Sequence, residues 1–453
     1  IFSAADVKNF DPHKPLVDKL VFKSEKGKGY LKRVPDVIDV WFDSGSMPFA
    51  QYHYPFENKE IFDKAFPADF ISEGIDQTRG WFYTLHAINV FLFGEPAYKN
   101  IIVNDLILDK QGQKMSKSKG NTVNPFEAMK KFGTDAIRWN FMEASVPWKP
   151  KLYNEADLID AERKFFGTLI NTYGFFTLYA NIDNFTYNKS QIIKHDSRPE
   201  MDRWILSKLN SLVKDCTAWM DGYDITRTCR AIQDFAIEEL SNWYVRRSRR
   251  RFWKGDMNAD KQAAYETLHE CLLTISKLMA PVAPFLADKL FLSLTGSDSV
   301  HLELYPTANQ NIIDTELENR MQKAQIISSL VRQMRERAKI KVRQPLERLL
   351  VPSANRKDIE ELRKVEEIIL DEVNVKRVEH IEFGDSDVIK RKAKANFKLL
   401  GAKLGKQMKS ASARIAKMTG DEIHSFEQQG YIDFEVEGNS VRIDRGEMEI
   451  FAE

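Results

Sequence analysis

The sequence predicts a multidomain α/β plus all-α protein with a small α+β domain at its C-terminal end. Three observations lead to this fold class. Residues 1–150 alternate short apolar runs with helical segments, residues 151–310 carry long helical patterns, and residues 311–453 mix strand-like runs with charged helices. A length of 453 residues agrees with about three domains at roughly 150 residues each.

The first region has the alternation that is typical of an α/β layer. A helix is predicted from Thr78 to Phe93, where Gly94-Glu95-Pro96 stops it. Short apolar runs before and after this helix predict strands at residues 37–42, 69–71, 101–103 and 106–108.

The second region is dominated by helices, and Asp224 is a suitable N-cap for one of them. The apolar periodicity predicts helices at residues 201–220, 224–253, 263–279 and 287–294. Long helices separated by short breaker segments indicate a helix bundle.

The third region predicts a small α+β domain. A charged amphipathic helix is expected at residues 319–339. Residues 390–409 hold eight Lys or Arg and predict a basic helix. Strands are predicted at residues 349–351, 375–383 and 431–443.

The composition excludes several classes of protein. The charges nearly cancel, with 67 Lys and Arg against 66 Asp and Glu, so a uniformly basic coat for nucleic acid is excluded but a local basic face is not. The three cysteines form no Cys-x-x-Cys pair, which predicts no zinc site and a reducing, cytoplasmic compartment. No stretch approaches the about 18–20 apolar residues of a membrane span, so no membrane partner is expected.

The strongest local motif is the pentapeptide 114–118, which lies between Gly112 and a helix that opens near Pro125. Ammonium groups on a loop can neutralise the β- and γ-phosphates of ATP as pyrophosphate leaves. No GxxxxGK[ST] segment occurs in the chain, so this is not a Walker loop. The alternative is a solvated loop without a ligand. The candidate ATP-binding residues are Lys114, Met115, Ser116, Lys117 and Ser118, with Lys114 and Lys117 as the catalytic pair.

A second motif combines a strand end, a glycine turn and a helix start at residues 73–82. Ligands of α/β folds bind in the crevice outside the carboxyl ends of the strands. Glu73 and Asp76 are suited to accept from ribose hydroxyls or an α-amino group. The alternative is that Asp76 only caps the helix that follows. The candidate residues here are Glu73, Gly74, Asp76 and Gln77.

A third motif, residues 39–45, places Trp41 at the end of a predicted strand, where an indole can wall an apolar pocket. The alternative is an ordinary core tryptophan.

A basic helix end lies at residues 246–254, where arginines alternate with aromatic residues. At about 100° per residue these arginines spread over more than one helix face, so some must pair internally while others can reach phosphates. A surface helix with internal ion pairs is the alternative, and residues 390–409 allow the same two interpretations. The candidate nucleic-acid contacts are Trp243, Arg246, Arg247, Arg249, Arg250 and Arg251.

Together these motifs resemble the class I aminoacyl-tRNA synthetases, and within them the isoleucyl-tRNA synthetases. The pentapeptide 114–118 matches the second signature of that class, and residues 39–45 and 73–82 look like the isoleucyl forms. The resemblance continues at residues 242–253 and 342–346. It implies the C-terminal half of a class I Rossmann-type catalytic domain, followed by a helical anticodon-binding domain.

The resemblance also implies a reaction. The family condenses isoleucine with ATP, which enters with Mg²⁺ as a substrate, and passes the acyl group to tRNA(Ile). It places Lys117 on ATP with Lys114 in support, Glu73 and Gln77 on the adenylate, and Trp41 and Trp81 near the isoleucine side chain. The tRNA would meet the basic helix end.

Part of the family's pattern is not found in this sequence. None of the eight histidines stands in a His-x-Gly-His signature, and no inserted editing domain precedes Asp39. We therefore expect the C-terminal part of a longer ligase, monomeric, without zinc and inactive alone. The other hypotheses are a tRNA-binding module without catalysis, and valine as the substrate.

Overall fold

The computed structural model describes residues 11, 13–37, 39–353, 356–382 and 391–452. The chain divides into two compact units. The first comprises Ile1–Ile205 and Leu209–Asn309, and the second comprises Leu206–Lys208 and Gln310–Glu453. No helix in the described ranges is both long and apolar enough to cross a membrane.

The first unit opens with a short hairpin and three short helices that lead into a parallel β-α-β segment. Strands β3 and β4 pair in parallel from Ala68–Tyr98 to Gly74–Asn104. The prediction of an α/β layer is confirmed. In chain order these elements are β1 (Val21–Lys23), β2 (Tyr30–Lys32), α1 (Val40–Gly45), α2 (Met47–Ala50), α3 (Lys59–Ala65), β3 (Ala68–Gly74), α4 (Trp81–Phe93) and β4 (Tyr98–Asn104).

The strand predicted at residues 37–42 is wrong. Val40 begins helix α1, and Ile38 lies outside the described residues. The Asp39 side chain accepts a hydrogen bond from the Trp41 amide at 2.9 Å, which caps the helix. A short apolar run does not by itself separate strand from helix, and here the cap decides.

Helix α1 packs closely against α4. The Trp81 indole nitrogen donates to the Ser44 carbonyl at 3.3 Å, and the buried Asn89 amide donates to the Gly45 carbonyl at 3.0 Å. A Cβ on Gly45 would lie 2.9 Å from the backbone carbonyl atoms of Thr84. Only glycine therefore permits this approach, and it ties the end of α1 to the middle of α4.

A short connecting region follows β4. Strands β5 and β6 pair in parallel, Ile107 with Lys151 and Leu108 with Leu152. The pentapeptide 114–118 lies between β5 and the next helix. The elements are β5 (Ile107–Leu108), α5 (Pro125–Phe132), α6 (Thr134–Glu143) and β6 (Lys151–Leu152).

The rest of the first unit is a bundle of long helices, as predicted. Its core contains the fully buried side chains of Trp204, Tyr244, Phe252 and Tyr265. Two π-helical segments, Ala161–Phe166 and Phe235–Val245, interrupt otherwise continuous helices. The helices are α7 (Glu155–Asp160), α8 (Gly167–Ile182), α9 (Glu200–Asp221), α10 (Ile225–Asp234), α11 (Arg246–Trp253), α12 (Ala259–Met279) and α13 (Pro284–Thr295).

A buried carboxylate joins several of these helices. Asp202 on α9 has no solvent exposure and accepts from the Tyr244 hydroxyl at 2.7 Å. The Arg251 guanidinium donates to both its oxygens, at 2.6 and 2.7 Å. Arg251 also contacts Asp260 at the start of α12 at 3.0 Å. A paired, hydrogen-bonded carboxylate is how a charge is tolerated in such a core.

The second unit is the predicted α+β arrangement. A parallel pair joins β7 to β8 through two short helices, and β9 pairs antiparallel with β12 beside the β10–β11 hairpin. Its elements are α14 (Thr315–Arg337), β7 (Leu346–Ser353), α15 (Arg356–Arg363), α16 (Glu366–Val373), β8 (Val375–Glu382), β9 (Arg391–Ala395), α17 (Phe397–Leu404), α18 (Met408–Ile415), α19 (Gly420–Gln429), β10 (Tyr431–Val436), β11 (Asn439–Asp444) and β12 (Met448–Ala452).

The prediction of a basic helix at residues 390–409 is wrong for residues 391–395. Lys390 lies outside the described residues. The segment begins as strand β9, and helix α17 starts only at Phe397. Ala393 and Ala395 are buried, while Lys392 and Lys394 are exposed. This period of two is that of a strand with one face in the core.

Replacement of Gly45 by Ala should destabilise the first unit by about 1–3 kcal/mol, because the added methyl group overlaps the α4 backbone. Thermal or urea unfolding measures the change. The control is Gly174→Ala at an exposed position of α8, where a Cβ meets nothing within 4 Å and stability should rise by about 0.5–1 kcal/mol. Equal effects of the two substitutions would contradict the close approach.

Replacement of Asp202 by Asn should lower the free energy of unfolding by about 3 kcal/mol. This is the low end of the ~3–5 kcal/mol that breaking a buried ion pair costs, because Arg251 keeps its contact with Asp260. Urea unfolding checks this. Asp215→Asn, an exposed site on the same helix, is the matched control and should change stability by less than about 0.5 kcal/mol. If Asp202→Asn left the free energy of unfolding unchanged, the buried carboxylate would not stabilise the bundle.

Candidate active site and nucleic-acid surface

The pentapeptide 114–118 lies on an ordered loop that exposes its lysines. Lys114 and Lys117 are exposed, and within the described residues neither ammonium group forms an ion pair. Ser116 precedes a short 3₁₀ turn, Lys117–Lys119, and its hydroxyl lies 3.1 Å from that of Ser118. Gly120 ends the turn at a φ of 66°, a value that glycine adopts without strain.

Met115 points the other way. It is half-buried and lines an apolar cavity of about 410 Å³ together with Ile107, Val123, Met129 and Phe141. The Met115 side chain thus packs into the protein, while the side chains of Lys114 and Lys117 extend into solvent. Two free ammonium groups on an anchored loop can bind a polyphosphate.

The residues of the second motif surround the carboxyl end of β3. Glu73 pairs in register with Val103 and is exposed, as is Asp76 in the 3₁₀ turn Ile75–Arg79. The Asp76 carboxylate lies over Gly74, where a Cβ would be 2.6 Å from Oδ1. A side chain on Gly74 would therefore displace this carboxylate.

Gln77 links this turn to helix α4. Its amide nitrogen donates to Asp76 at 3.2 Å, and its amide oxygen accepts from the Trp81 backbone at 2.9 Å. Gln77, rather than Asp76, thus bonds the first amide of α4. The alternative interpretation of Asp76 as a mere helix cap is not observed, and its carboxylate stays at the strand end.

Trp41 on α1 lies against Gly80, directly before Trp81 at the start of α4. Trp41 is 47% exposed, and it lies on a helix rather than at the predicted strand end. A Cβ on Gly80 would be 2.8 Å from Trp41 Cη2 and 2.8 Å from Gln77 Oε1. The sequence analysis did not identify Gly80 as a site residue. Its lack of a side chain lets the side chains of Trp41 and Gln77 pack over its backbone.

The structure brings Trp41, Gln77 and Trp81 together, next to Glu73 and Asp76. It does not join them to the pentapeptide: no hydrogen bond or ion pair connects residues 73–81 with residues 114–118 in the described part of the chain. Nor do the described residues contain a cluster of His, Cys, Asp or Glu suited to hold a metal ion.

The basic helix end separates into an internal and an external set. Arg251 is committed to Asp202 and Asp260, and Trp243 is buried beneath Arg246 and Arg247, whose guanidinium carbons lie 5.9 and 5.6 Å from its ring. Trp243 and Arg251 are therefore removed from the set of nucleic-acid contacts, because burial and pairing keep them from phosphates. The exposed members are Arg249, Arg250, Trp253 and Lys254.

The comparisons with known proteins cover nearly the whole chain. Residues 3–150 match the class I tRNA synthetase model for I, L, M and V, and residues 202–350 match the anticodon-binding domain of tRNA ligases. An isoleucine–tRNA ligase of Cytophaga hutchinsonii is 51% identical over 94% of this chain, and one of Porphyromonas gingivalis is 48% identical over all of it. The chain spans only 39% and 40% of these relatives' lengths.

A solved structure supports the fold. The agnB2 LeuRS of Agrobacterium radiobacter K84, in a ternary complex with tRNA and LeuAMS, matches 80% of this chain and 44% of its own at a TM-score of 0.52 and 17% identity. At that identity the likeness concerns the fold alone. From the two matched families and the identity to its curated relatives, the chain belongs to the class I aminoacyl-tRNA synthetases, among which its relatives are isoleucine–tRNA ligases.

Proposed function

We propose that the chain is the part of an isoleucine–tRNA ligase that holds the amino-acid side of the active site, the phosphate-binding loop and the anticodon-side domains. The observation that carries the proposal is the convergence of Trp41, Gln77 and Trp81 at the carboxyl end of β3, where α/β folds bind their ligands. The three functional domains would be 1–150, 151–310 and 311–453, in a monomeric protein.

In the proposed reaction the isoleucine carboxylate attacks the α-phosphorus of ATP, which forms isoleucyl-adenylate and releases pyrophosphate. Negative charge builds on the leaving pyrophosphate. Lys114 and Lys117 are exposed, so their ammonium groups are available to neutralise that charge, with Mg²⁺ entering on ATP. Ser116 and Ser118 offer hydroxyl donors beside them, and Met115 anchors the loop.

The adenylate would lie over the end of β3. Glu73 and Asp76 present carboxylates for the ribose or the α-amino group, and the lack of a side chain at Gly74 leaves room for the Asp76 carboxylate. Trp41 and Trp81 supply apolar faces for the branched side chain. A pocket of this kind favours isoleucine over valine by only about 1–3 kcal/mol, the contribution of one methylene group. Isoleucyl-tRNA synthetase is itself the standard example of this limited discrimination.

The transfer step needs tRNA(Ile), and the exposed end of α11 is the proposed contact with its phosphates. Arg249 and Arg250 would make most of this contact, with Lys254 beside them. Such contacts give affinity that depends on salt and not on sequence. The three cysteines are buried free thiols, in keeping with the cytoplasmic location that we propose.

A second candidate is a tRNA-binding module without catalysis. The exposed arginines favour it for these residues taken alone, since no His-x-Gly-His signature occurs in the sequence. We therefore infer that this chain by itself binds tRNA and does not form adenylate. Isoleucine-dependent pyrophosphate exchange by the chain alone would overturn that inference.

In the full-length ligase, Lys117→Ala should lower the kcat of isoleucine-dependent ATP–pyrophosphate exchange by about 10²–10³-fold, the usual cost of losing one donor to a developing charge. The matched control is Lys119→Ala, two residues along on the same exposed loop, which should stay within about threefold of the parent. Equal losses in both variants would mean that general loop charge, and not Lys117, carries the step.

For tRNA binding, the double variant Arg249→Gln and Arg250→Gln should weaken affinity uniformly and reduce the slope of log Kd against log salt by about 2. Filter binding at several salt concentrations measures the slope. Lys59→Gln removes an exposed cation at the start of α3 and is the control, with no expected change. An unchanged slope in the double variant would exclude this helix end from the phosphate contact.

A further inference from the structure

The loop that carries the pentapeptide is held from both sides by one carboxylate and one amide. Asp109 follows β5, and its Oδ1 accepts from the backbone amides of Gln111 at 3.0 Å and Gln113 at 2.8 Å. The backbone of Asp109 also accepts from Gly112 and donates to Gln113, both at 2.9 Å. These bonds close a turn that places Lys114 opposite Leu108, with which it forms an antiparallel β-bridge.

Asn121 lies on the far side of the pentapeptide and reaches back to it. Its Nδ2 donates to Asp109 Oδ2 at 2.8 Å and to the Lys114 carbonyl at 3.3 Å. Its Oδ1 accepts from the Ser116 amide at 2.9 Å. One side chain therefore fixes the backbone at both Lys114 and Ser116, the residues that flank Met115 and lead into the turn of Lys117.

The chemistry of the pair is specific. The Asp109 carboxylate only accepts and is already engaged by two backbone amides, so the group that meets its other oxygen must be a donor. Asn121 is both donor and acceptor, as its three bonds require. The Asn121 hydrogen bond, followed by that of the Gln113 amide, holds the pKa of Asp109 below its usual range, so Asp109 remains ionised at neutral pH.

Lys114 and Lys117 can act on a leaving pyrophosphate only if the loop presents them in one arrangement. Displacement of a reacting group by about 1 Å can cost about 10²-fold in rate. Neither lysine is held through its own side chain within the described residues, so their placement depends on the backbone. The backbone bonds that Asn121 supplies are the ones that fix it.

We propose that Asn121, held by Asp109, is a positioning residue that sets the catalytic arrangement of the lysines in this loop. The inference rests on the proposed role of Lys117. It predicts that loss of the pair lowers turnover without weakening isoleucine binding, because the isoleucine pocket is built on α1 and α4.

The test is a reciprocal exchange of the two side chains in the full-length ligase. Asn121→Asp places two carboxylates face to face, and Asp109→Asn places two amides with opposed donors. Each single variant should lower the kcat of pyrophosphate exchange by about 10–100-fold, with KM for isoleucine within about twofold of the parent. The double variant restores the contact between one acid and one amide but not the donor to the Lys114 carbonyl, so it should turn over at least about threefold faster than either single variant without reaching the parent.

The double-mutant cycle separates positioning from a general effect on folding. Thermal unfolding of all four proteins shows whether a loss of activity follows a loss of structure, and trypsin cleavage after Lys117 and Lys119 reports on the loop itself. Recovery of activity and of protection in the double variant supports the pair. Additive losses, or a raised KM for isoleucine at unchanged kcat, would overturn it.

The result for Lys117→Ala distinguishes the two hypotheses. If Lys117→Ala abolishes exchange but the single variants at Asp109 and Asn121 keep full turnover, the positioning inference fails and the proposed function stands. If Lys117→Ala itself has no effect, the proposed use of the loop fails, and the positioning inference fails with it.

Discussion

The close contact between α1 and α4 is the constraint on which the proposed amino-acid side of the site depends. Gly45 lets the two helices touch, and Asn89 and Trp81 bond the carbonyls at the end of α1. This fixes where α1 begins, and hence where Trp41 lies over Gly80. The pocket proposed for isoleucine is thus a consequence of helix packing about one turn away and not of a mobile loop.

Much of the architecture could be predicted from the sequence because its signals are local. The helix predicted at 78–93 is observed as the turn Ile75–Arg79 and helix α4, and the predicted cap Asp224 accepts from the Arg227 amide at 3.1 Å. The failures arose where two local signals compete. At residues 37–42 apolar content favoured a strand, but the Asp39 cap favoured a helix, and this helix packs on α4.

At residues 391–395 the error has a different origin. Total basic charge suggested one long helix, yet charge does not determine secondary structure. The alternation of alanine with Lys and Arg was the better signal, because Ala393 and Ala395 face the core of the second unit. The positions of the arginines at 246–251 were beyond sequence reasoning for a third reason: the partner of Arg251 is Asp202, 49 residues earlier in the chain.

The same pairing determines which cations remain at the surface. Arg198 is buried against Glu266 at 3.0 Å, and Arg251 against Asp202, so these cations contribute to packing and not to the field at the surface. The cations left in solvent, such as Arg249, Arg250, Lys114 and Lys117, are therefore the ones available to phosphates. Under the proposed function, backbone bonds and not ion pairs must hold the two loop lysines in place, because an ion-pair partner would occupy the ammonium groups that a polyphosphate would have to meet. The Asp109–Asn121 pair meets this requirement: its bonds end on backbone atoms, and the lysine side chains stay free.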